Sequence, residues 1–285
     1  MEPELLQPAD LPDLLALCRA AAWNQTEADW QRVLTLEPEL SLGIRAEGRI
    51  VSTAVGFTYP ALNATAAAAP LPPPLAWIGM VLTHPDHRGH GHARRLMQRL
   101  VADLDRRGFS LQKLDATAMG QPLYEQLGFV AEQPIERWKR DASAKRVHAL
   151  GVVEPFQAMP ELDASAFAWD RARVLPSLLA AGDGALTEGG FALGRPGAVA
   201  TYFGPCVARY PAAAKRLASW FLARHGGEDV FWDLLPHNQE ARALAHSLGF
   251  RPVRQLVRMV RLSPGVAEPP RRDDLIYAIA GFELG

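Results

Sequence analysis

A short glycine-rich segment, Arg88-Gly89-His90-Gly91-His92-Ala93, carries the residue types best suited to holding an anion. Glycines let the backbone come close to a ligand and adopt conformations that other residues avoid. The segment leads into a helical apolar pattern, and the first N–H groups of a helix lack partners and lie at the positive end of its dipole. Such an arrangement suits a phosphate group. The sequence therefore predicts an anion-binding turn at 88–93.

A buried strand and a long helix are predicted on either side of this turn. Residues 75–82 are almost wholly apolar and end shortly before Pro85, which is typical of a buried strand. After the turn, apolar side chains recur at helical spacing and polar ones take the opposite face. The apolar positions are Ala93, Leu96, Met97, Leu100, Val101 and Leu104. Gly108 stands where this helix is expected to end.

Two nucleotide-binding motifs fit the turn poorly. A Walker loop requires G-x-x-x-x-G-K-[ST], and no Lys-Ser or Lys-Thr follows Gly91. A dinucleotide fingerprint requires G-x-G-x-x-G, and Arg94 occupies its third glycine position. Asp115 does lie at the end of the next predicted strand, where this fingerprint has an acidic residue. The dinucleotide interpretation is therefore weakened by Arg94 but not excluded.

Four histidines, His84, His87, His90 and His92, could crowd their imidazoles around a metal. A structural zinc site requires four convergent ligands, and no cysteine lies nearby. The backbone of the same segment is also needed for the anion. We therefore expect no physiological metal here.

Three motifs, taken together, resemble the GNAT N-acetyltransferase superfamily. The turn is similar to its Q/R-x-x-G-x-G/A signature, with Arg88, Gly91 and Ala93 at the defined positions. Residues 81–88 resemble the strand that leads into the signature. Leu123-Tyr124-Glu125-Gln126-Leu127-Gly128-Phe129 resembles the downstream Y-x-x-x-G-F element. The motifs occur in the family's order and at ordinary spacing.

The resemblance, which covers roughly residues 1–140, implies acetyl transfer from acetyl-CoA to a primary amine by direct attack. A backbone N–H near Leu82 would polarise the thioester carbonyl, and Tyr124 would protonate the departing thiolate. The cofactor-binding residues it implies are Met80, Val81, Leu82, Thr83, Arg88, Gly89, His90, Gly91, His92, Ala93, Thr117, Gly120 and Tyr124. The alternative is an acyl-CoA-binding sensor or scaffold that kept the fold and lost turnover.

The acceptor side is predicted from fewer signals. The connector that carries Trp23 and Asn24 borders the acceptor pocket in the family, although a buried tryptophan and a capping segment explain it equally well. Asp115 is a third candidate for this pocket. Asp115, Glu27 and His84 are also candidate general bases, while a water chain often serves the family instead. We expect a small-molecule amine as the acceptor.

The second half of the chain repeats the first. Leu127-Gly128-Phe129 recurs 121 residues later as Leu248-Gly249-Phe250. The same offset carries the helix at 91–107 onto 212–227 and the strand at 111–117 onto 230–235, which indicates a duplicated domain. The predicted fold is α/β (α+β), with two tandem GNAT-like domains, each a mixed and mostly antiparallel sheet flanked by helices. We assign 1–141 to a catalytic domain and 147–285 to its copy.

The copy lacks the residues of the phosphate turn. At the offset of 121, Gly89, His90 and Gly91 become Tyr210, Pro211 and Ala212, and Tyr124 becomes Ala245. A proline has no N–H to offer an anion. We therefore expect a degenerate second domain and one cofactor site per chain.

Two further segments have a predicted place but no predicted chemistry. Residues 60–74 are rich in alanine and proline and suggest a loop, either a flap over the site or a tolerated insertion. Residues 274–282 are too apolar for a free tail and are expected to form an extra strand along the domain interface.

Composition excludes several classes of protein. The formal net charge of −1 gives no support for a nucleic-acid or membrane partner. The sequence shows neither an apolar run of spanning length nor a signal pattern, and its two cysteines are too few for a disulfide framework. We expect a cytoplasmic monomer or homodimer.

Overall fold

Helices pack on both faces of an extended sheet in the computed structural model, which describes residues 1–62, 72–143, 147–157 and 159–285. The first half contains β1 (Glu4–Leu5), α1 (Leu11–Ala20), α2 (Glu27–Leu36), β2 (Ser41–Ala46), β3 (Arg49–Tyr59), β4 (Leu75–Thr83), α3 (His92–Arg106), β5 (Leu111–Ala116), α4 (Gln121–Glu125) and β6 (Val130–Arg140). The second half contains β7 (Glu154–Pro155), α5 (Pro160–Phe167), α6 (Val174–Leu179), β8 (Asp183–Thr187), β9 (Gly190–Arg195), β10 (Thr201–Ala208), α7 (Pro211–His225), β11 (Val230–Leu234), α8 (Gln239–Ser247), β12 (Arg251–Leu262) and β13 (Ile276–Ala278).

Local sequence signals account for several of these boundaries. Helix α2 begins at a capping box in which the amide and hydroxyl of Thr26 both donate to Asp29 Oδ2, each at 2.8 Å. Strands β2 and β3 are joined by Glu47 and Gly48, both at positive φ, as a two-residue hairpin requires. Helix α3 buries its predicted apolar stripe except for Ala93, which is half-buried.

The sheet is mixed and mostly antiparallel, as predicted. Within the described residues it has thirteen strands in the order β1-β2-β3-β4-β5-β12-β6-β11-β10-β9-β8-β7, with β13 added beside β10. The pairs β4–β5 and β10–β11 are parallel, and each lies in the same place in its own half. The two halves are therefore joined through one continuous sheet.

The halves exchange their long last strands, which the sequence analysis did not foresee. Strand β12 of the second half pairs with β5 of the first, and β6 of the first half pairs with β11 of the second. Each exchanged strand carries an arginine that is hydrogen-bonded to a buried aspartate on the strand that it pairs with in the other half. Arg258 is bonded to Asp115 at 2.9 and 3.1 Å, and Arg137 to Asp233 at 2.7 and 2.6 Å. The two ion pairs lie at equivalent places in the two halves, and each holds an exchanged strand against its partner strand.

The last residues of the chain lie between the two halves. Strand β13 is the predicted extra strand, although it is only three residues long. Beyond it, the Phe282 carbonyl accepts a hydrogen bond from the Trp77 indole at 2.9 Å, and the Leu284 carbonyl accepts one from the Tyr59 hydroxyl at 2.7 Å. The predicted placement along the interface is thereby confirmed.

Some predictions cannot be compared with the structure. Residues 63–71, most of the alanine- and proline-rich segment, lie outside the described residues, and so do 144–146 at the proposed domain boundary. The boundary therefore stays a prediction, as do the cytoplasmic location and the oligomeric state. Among the described helices, none is both long and apolar enough to cross a bilayer.

Candidate active site

The glycine turn is open to solvent and leads directly into helix α3. Gly89 and Gly91 have φ of +80° and +75°, and Gly91 is the N-cap of the helix. A Cβ added to either glycine would meet no heavy atom within 4 Å. The glycines are therefore required by the backbone conformation and not by crowding. The predicted strand, turn and helix are all present.

Histidine side chains surround the turn without converging on one point. The rings of His90 and His92 stack at 5.8 Å, and those of His84 and His87 meet edge-on at 5.8 Å. His92 is buried and its Nδ1 has no hydrogen-bond partner among the described atoms. Burial, reinforced by the charge of Arg95, lowers the pKa of the His92 imidazole, so that this ring is neutral beneath the turn. Within the described ranges, no three metal-ligating side chains come together.

Strand β4 carries a bulge where its pairing with β5 stops. Its parallel pairing with β5 extends from Leu75 to Ile78 only. On the other side, Thr53 lies opposite Leu82 while Val55 lies opposite Gly79, so β4 has one extra residue. Met80 within this bulge has φ of +53°. The two strands therefore diverge beyond Ile78 and leave a cleft that exposes main-chain groups.

The bulge turns the amide of Val81 into this cleft. The Met80 carbonyl accepts a hydrogen bond from Thr53 Oγ1 at 2.7 Å and so points toward β3. In a trans peptide the C=O and N–H groups point in opposite directions, which directs the Val81 N–H away from β3. It is therefore oriented to donate toward a group in the cleft.

Leu82, the predicted donor, is oriented the other way. The amide of His84 donates to the Val51 carbonyl of β3 at 2.8 Å. Because antiparallel bonding repeats every second residue, Leu82, which lies opposite Thr53, also directs its N–H to β3. The geometry thus favours Val81 over Leu82, and the physical reason is the register change at the bulge.

Tyr124 faces the cleft from helix α4. Its side chain is buried, and burial alone raises the pKa of the phenol well above its usual value. Gly120 makes room for the ring, since a Cβ there would lie 3.0 Å from it. Thr117 holds the start of α4, where its carbonyl accepts from the amides of Gly120 and Gln121, each at 2.9 Å. A protonated phenol is thereby fixed beside the cleft.

A cavity of about 290 Å³ extends from the cleft into the interface between the halves. It brings together seven of the predicted site residues, namely Trp23, Asn24, Met80, Val81, Asp115, Thr117 and Tyr124. The turn at 88–93, Leu82, Thr83 and Gly120 lie outside its lining. The turn and the cavity are therefore the two ends of one elongated site that meet at the bulge of β4.

Two of the predicted acceptor residues are already engaged. The Asn24 side chain accepts from the amides of Val199 and Ala200 and donates to the Ala200 carbonyl, at 2.8 to 2.9 Å. Asp115 uses both carboxylate oxygens for Arg258. Although both line the cavity, Asn24 serves as a clamp on the second half and Asp115 as part of a buried ion pair.

The other candidate bases lie away from the cavity. Glu27 is exposed and accepts from the Gln31 side chain at 2.9 Å. His84 Nδ1 accepts from the Asp86 amide at 3.3 Å and caps the turn at 85–87. Neither belongs to the lining. We therefore set both aside as bases.

Sequence reasoning missed the charged residues that the other elements bring to this cavity. Arg137, Arg254 and Glu283 all line it. The first two lie on the exchanged strands, and the third follows β13. No motif marks them, and the only available signal was the apolar character of the tail that carries Glu283.

The corresponding cleft of the second half is filled by the chain's own tail. Beyond the parallel pairing of β10 with β11, strand β13 pairs with β10 at Cys206 and Val207, and the Ile279 amide donates to the Asp233 carbonyl at 3.0 Å. Asn238, which corresponds to Thr117, donates to the carbonyls of Asp274 and Ile276, each at 3.0 Å. This backbone occupies the place that corresponds to the open cleft beside β4.

Comparison with known proteins identifies the family. Residues 2–131 match one family model and residues 159–278 another, both described as an acetyltransferase (GNAT) domain. Together these matches span most of the chain. The chain belongs to the GNAT acetyltransferase family. It is accordingly an acyltransferase with two GNAT domains in tandem.

Similar GNAT proteins match about half of the chain or nearly all of it. An acetyltransferase of Yersinia pestis (strain Pestoides F) is 28% identical over 149 residues, which cover 49% of this chain and 95% of the relative. The crystal structure of a proposed acetyltransferase from Pyrococcus horikoshii superposes over 99% of this chain and 95% of its own, with a TM-score of 0.80 and 22% identity. A tandem GNAT protein from the clavulanic acid biosynthesis pathway covers 93% of this chain and 100% of its own, with a TM-score of 0.59 and 16% identity. These structures share the fold.

Proposed function

We propose that the first GNAT domain transfers an acetyl group from acetyl-CoA to the primary amine of a small molecule. The observation that carries this proposal is the bulge at Met80, which directs the Val81 amide into a cleft between the glycine turn and the cavity. The donor thioester would lie at the bulge, the CoA phosphates at the turn and the acceptor in the cavity.

The glycine turn would bind the pyrophosphate through its main chain. The free amides of residues 89–93 and the positive end of α3 suit two adjacent phosphate groups. Arg88 is exposed beside the turn and is able to add a charge-assisted hydrogen bond. Main-chain groups of Met80 and Val81 would pair with the pantetheine arm in the cleft.

Direct attack of the amine then requires two groups from the protein. The neutral amine nitrogen forms a bond to the thioester carbon, and the Val81 N–H stabilises the charge that develops on the carbonyl oxygen. Collapse of the resulting tetrahedral intermediate breaks the C–S bond, and the thiolate takes the Tyr124 proton. The nitrogen loses its extra proton to water as the amide forms, and the Tyr124 phenolate regains a proton from water. The phenol suits this role because burial keeps it protonated.

We further propose a single cofactor site per chain. At the start of α7, Tyr210 is extended and Pro211 is the first helical residue, so this turn lacks the amides offered by 89–93. The tail also fills the cleft between β10 and β11. The second domain would then serve as one wall of the acceptor cavity.

The test is detection of free CoA thiol in mixtures of acetyl-CoA with a panel of primary amines. We expect a rate that depends on both substrates, together with an acetylated amine detected by mass spectrometry. Tight binding of acetyl-CoA without release of CoA for any amine would instead favour a non-catalytic sensor or scaffold.

A further inference from the structure

The acceptor cavity contains four charged side chains, and two of them are neutralised from outside it. Asp115 is paired with Arg258 through two hydrogen bonds. Arg137 is paired with Asp233 in the same way, at 2.7 and 2.6 Å. These two pairs add no net charge to the cavity.

Arg254 is the charged residue of the lining that has no ion-pair or hydrogen-bond partner among the described residues. It lies directly opposite Arg137 in the pairing of β12 with β6. Like charges in directly opposed positions destabilise a sheet. Arg254 is an exposed residue, but partial burial of its guanidinium together with the charge of Arg137 lowers its pKa. An anion bound at Arg254 would remove this penalty.

Glu283 also lines the cavity, and its backbone lies next to the bulge. A Cβ on Gly79 would lie 2.6 Å from Glu283 Cα, so the tail backbone rests directly on β4. The Glu283 side chain is buried, and its Oε1 accepts from Arg195 at 3.0 Å. No other described residue donates a hydrogen bond to Oε2. The Glu283 carboxylate, which also accepts from its own backbone amide, is thus a group of the cavity lining on a residue packed against β4 next to the bulge.

The charge of Glu283 is already balanced within a buried network. Arg195 lies between Glu283 and Asp29, 3.5 Å from the latter, and Asp29 also binds Arg32 at 2.7 Å. Two carboxylates and two guanidinium groups give no net charge. The cavity is therefore left with the single positive charge of Arg254. A neutral amine that carries one anionic group has the complementary charge of −1.

From this charge pattern we propose that the acceptor is a primary amine bearing a carboxylate or phosphate group, with the anion at Arg254 and the amine facing Glu283. This inference rests on the proposed acetyl transfer. Glu283 Oε2 would take the proton that the ammonium loses before the nitrogen attacks. The cavity of about 290 Å³ has the size of a small-molecule pocket.

The first test compares matched amines as acceptors for the full-length protein. β-Alanine is paired with propylamine and O-phosphoethanolamine with ethanolamine, so that carboxylate and phosphate sources are separated, and leucine is paired with leucinamide. We expect kcat/KM to favour at least one anionic member over its partner by about tenfold or more, because a hydrogen-bonded charge contributes about that much. Equal use of both members, preference for the uncharged ones, or no acetylation of any anionic amine would overturn the inference.

The second test uses variants to assign the two ends of the cavity. In Arg254→Gln the preference for the anionic member is expected to fall by about tenfold, through KM. Arg251→Gln is the matched control, because Arg251 is an exposed arginine of the same strand that lies outside the cavity lining and is paired with Asp141. A preference that survives Arg254→Gln, or is lost equally in both variants, would contradict the assignment.

Glu283→Gln tests the amine end through its pH profile. The charged groups around Glu283 are Arg195, Arg137 and Asp29. The two arginines keep their charge, and Asp29 stays ionised because neighbouring guanidinium groups outweigh burial and lower its pKa. We expect Glu283→Gln to reduce kcat/KM by about tenfold or more near neutral pH. At alkaline pH, where the amine is already neutral, the kcat/KM of the variant should approach that of the parent. A uniform loss at all pH values would indicate a structural role and contradict proton acceptance.

The outcomes also separate this inference from the proposed function. If acetyl-CoA neither binds nor releases CoA with any amine, the proposed function fails and the inference fails with it. If the protein acetylates uncharged amines as well as anionic ones, acetyl transfer stands and the acceptor class is wrong.

Discussion

Tyr124→Phe isolates the proposed acid, because it removes one hydroxyl and keeps the ring. The ring is packed edge-on against Phe129 at 6.4 Å, and the hydroxyl has no hydrogen-bond partner among the described residues. No buried polar group is therefore left without a partner by the substitution. We expect the free energy of unfolding to change by less than about 0.5 kcal/mol.

The effect on the chemical step is expected to be much larger. A positioned general acid contributes about 10²- to 10⁴-fold to a rate, which corresponds to roughly 2.7 to 5.4 kcal/mol at 1.36 kcal/mol per decade. Because burial raises the pKa of the phenol, the parent holds its proton throughout the neutral range. We therefore expect at least about a hundredfold loss in the rate of CoA release, with unchanged affinity for acetyl-CoA.

Rapid-mixing single-turnover assays would measure this rate, and calorimetry the affinity. Tyr277→Phe is the matched control, since its hydroxyl donates to Glu240 Oε2 at 2.7 Å within the second half. We expect the control to lose about 1 kcal/mol or more of stability and to keep its rate. If Tyr124→Phe releases CoA at the parental rate and binds acetyl-CoA as tightly, Tyr124 is a packing residue and the proposed acid is wrong.

Three further perturbations test the architecture. Truncation after Arg140 removes β12 from between β5 and β6 and exposes the edges of both strands. We therefore expect the fragment to aggregate in gel filtration or to be inactive in thiol assays. A monodisperse and active fragment would show that the second half is dispensable. Asp115→Asn leaves the buried Arg258 without its carboxylate and is expected to cost about 3–5 kcal/mol in urea unfolding, whereas a loss below about 1 kcal/mol would deny the pair its structural role. Two guanidinium groups lower the pKa of Asp29 although burial of the carboxylate opposes this shift. The ionised carboxylate therefore stabilises the fold above the unfolded-state pKa of about 3.9, and this contribution is lost as the pH falls through the folded-state pKa. In unfolding measurements from pH 6 to 2, the parent should lose more stability than Asp29→Asn, and parallel curves would contradict this.

The parts of the site that depend on neighbouring residues could be predicted from the sequence. The strand at 75–83, the glycine turn and helix α3 follow from an apolar run, two closely spaced glycines and a helical stripe. The capping box at Thr26 and the hairpin at 47–48 are equally local. Such signals act over a few residues and do not require knowledge of the rest of the chain.

The exchange of β6 and β12 could not be predicted, because the two halves offer equivalent partners. Each exchanged strand carries an arginine, Arg137 or Arg258, and each receiving strand carries an aspartate, Asp233 or Asp115. Either arginine is chemically compatible with either aspartate. The choice is made by tertiary packing of the whole sheet, which the local pattern does not encode.

The contribution of Glu283 to the cavity was missed for a related reason. Glu283 reaches the bulge because the tail is held by Trp77 and Tyr59 more than 200 residues earlier in the chain. The proposed oxyanion donor differs by one residue from the predicted one, since the extra residue of the bulge changes which amide, that of Val81 or Leu82, faces the cleft. Long-range contacts and a register change therefore set the details on which the chemistry depends.

The central claim is a single acetyl-CoA site in the first domain, and calorimetric titration of a matched pair of variants tests it most directly. Gly91→Glu places a negative charge at the turn, whereas Ala212→Glu places the same side chain at the corresponding, exposed position of α7. The parent and Ala212→Glu are expected to bind one acetyl-CoA per chain with equal affinity, and Gly91→Glu to bind it far more weakly. Two sites per chain, or undiminished binding by Gly91→Glu, would contradict the account.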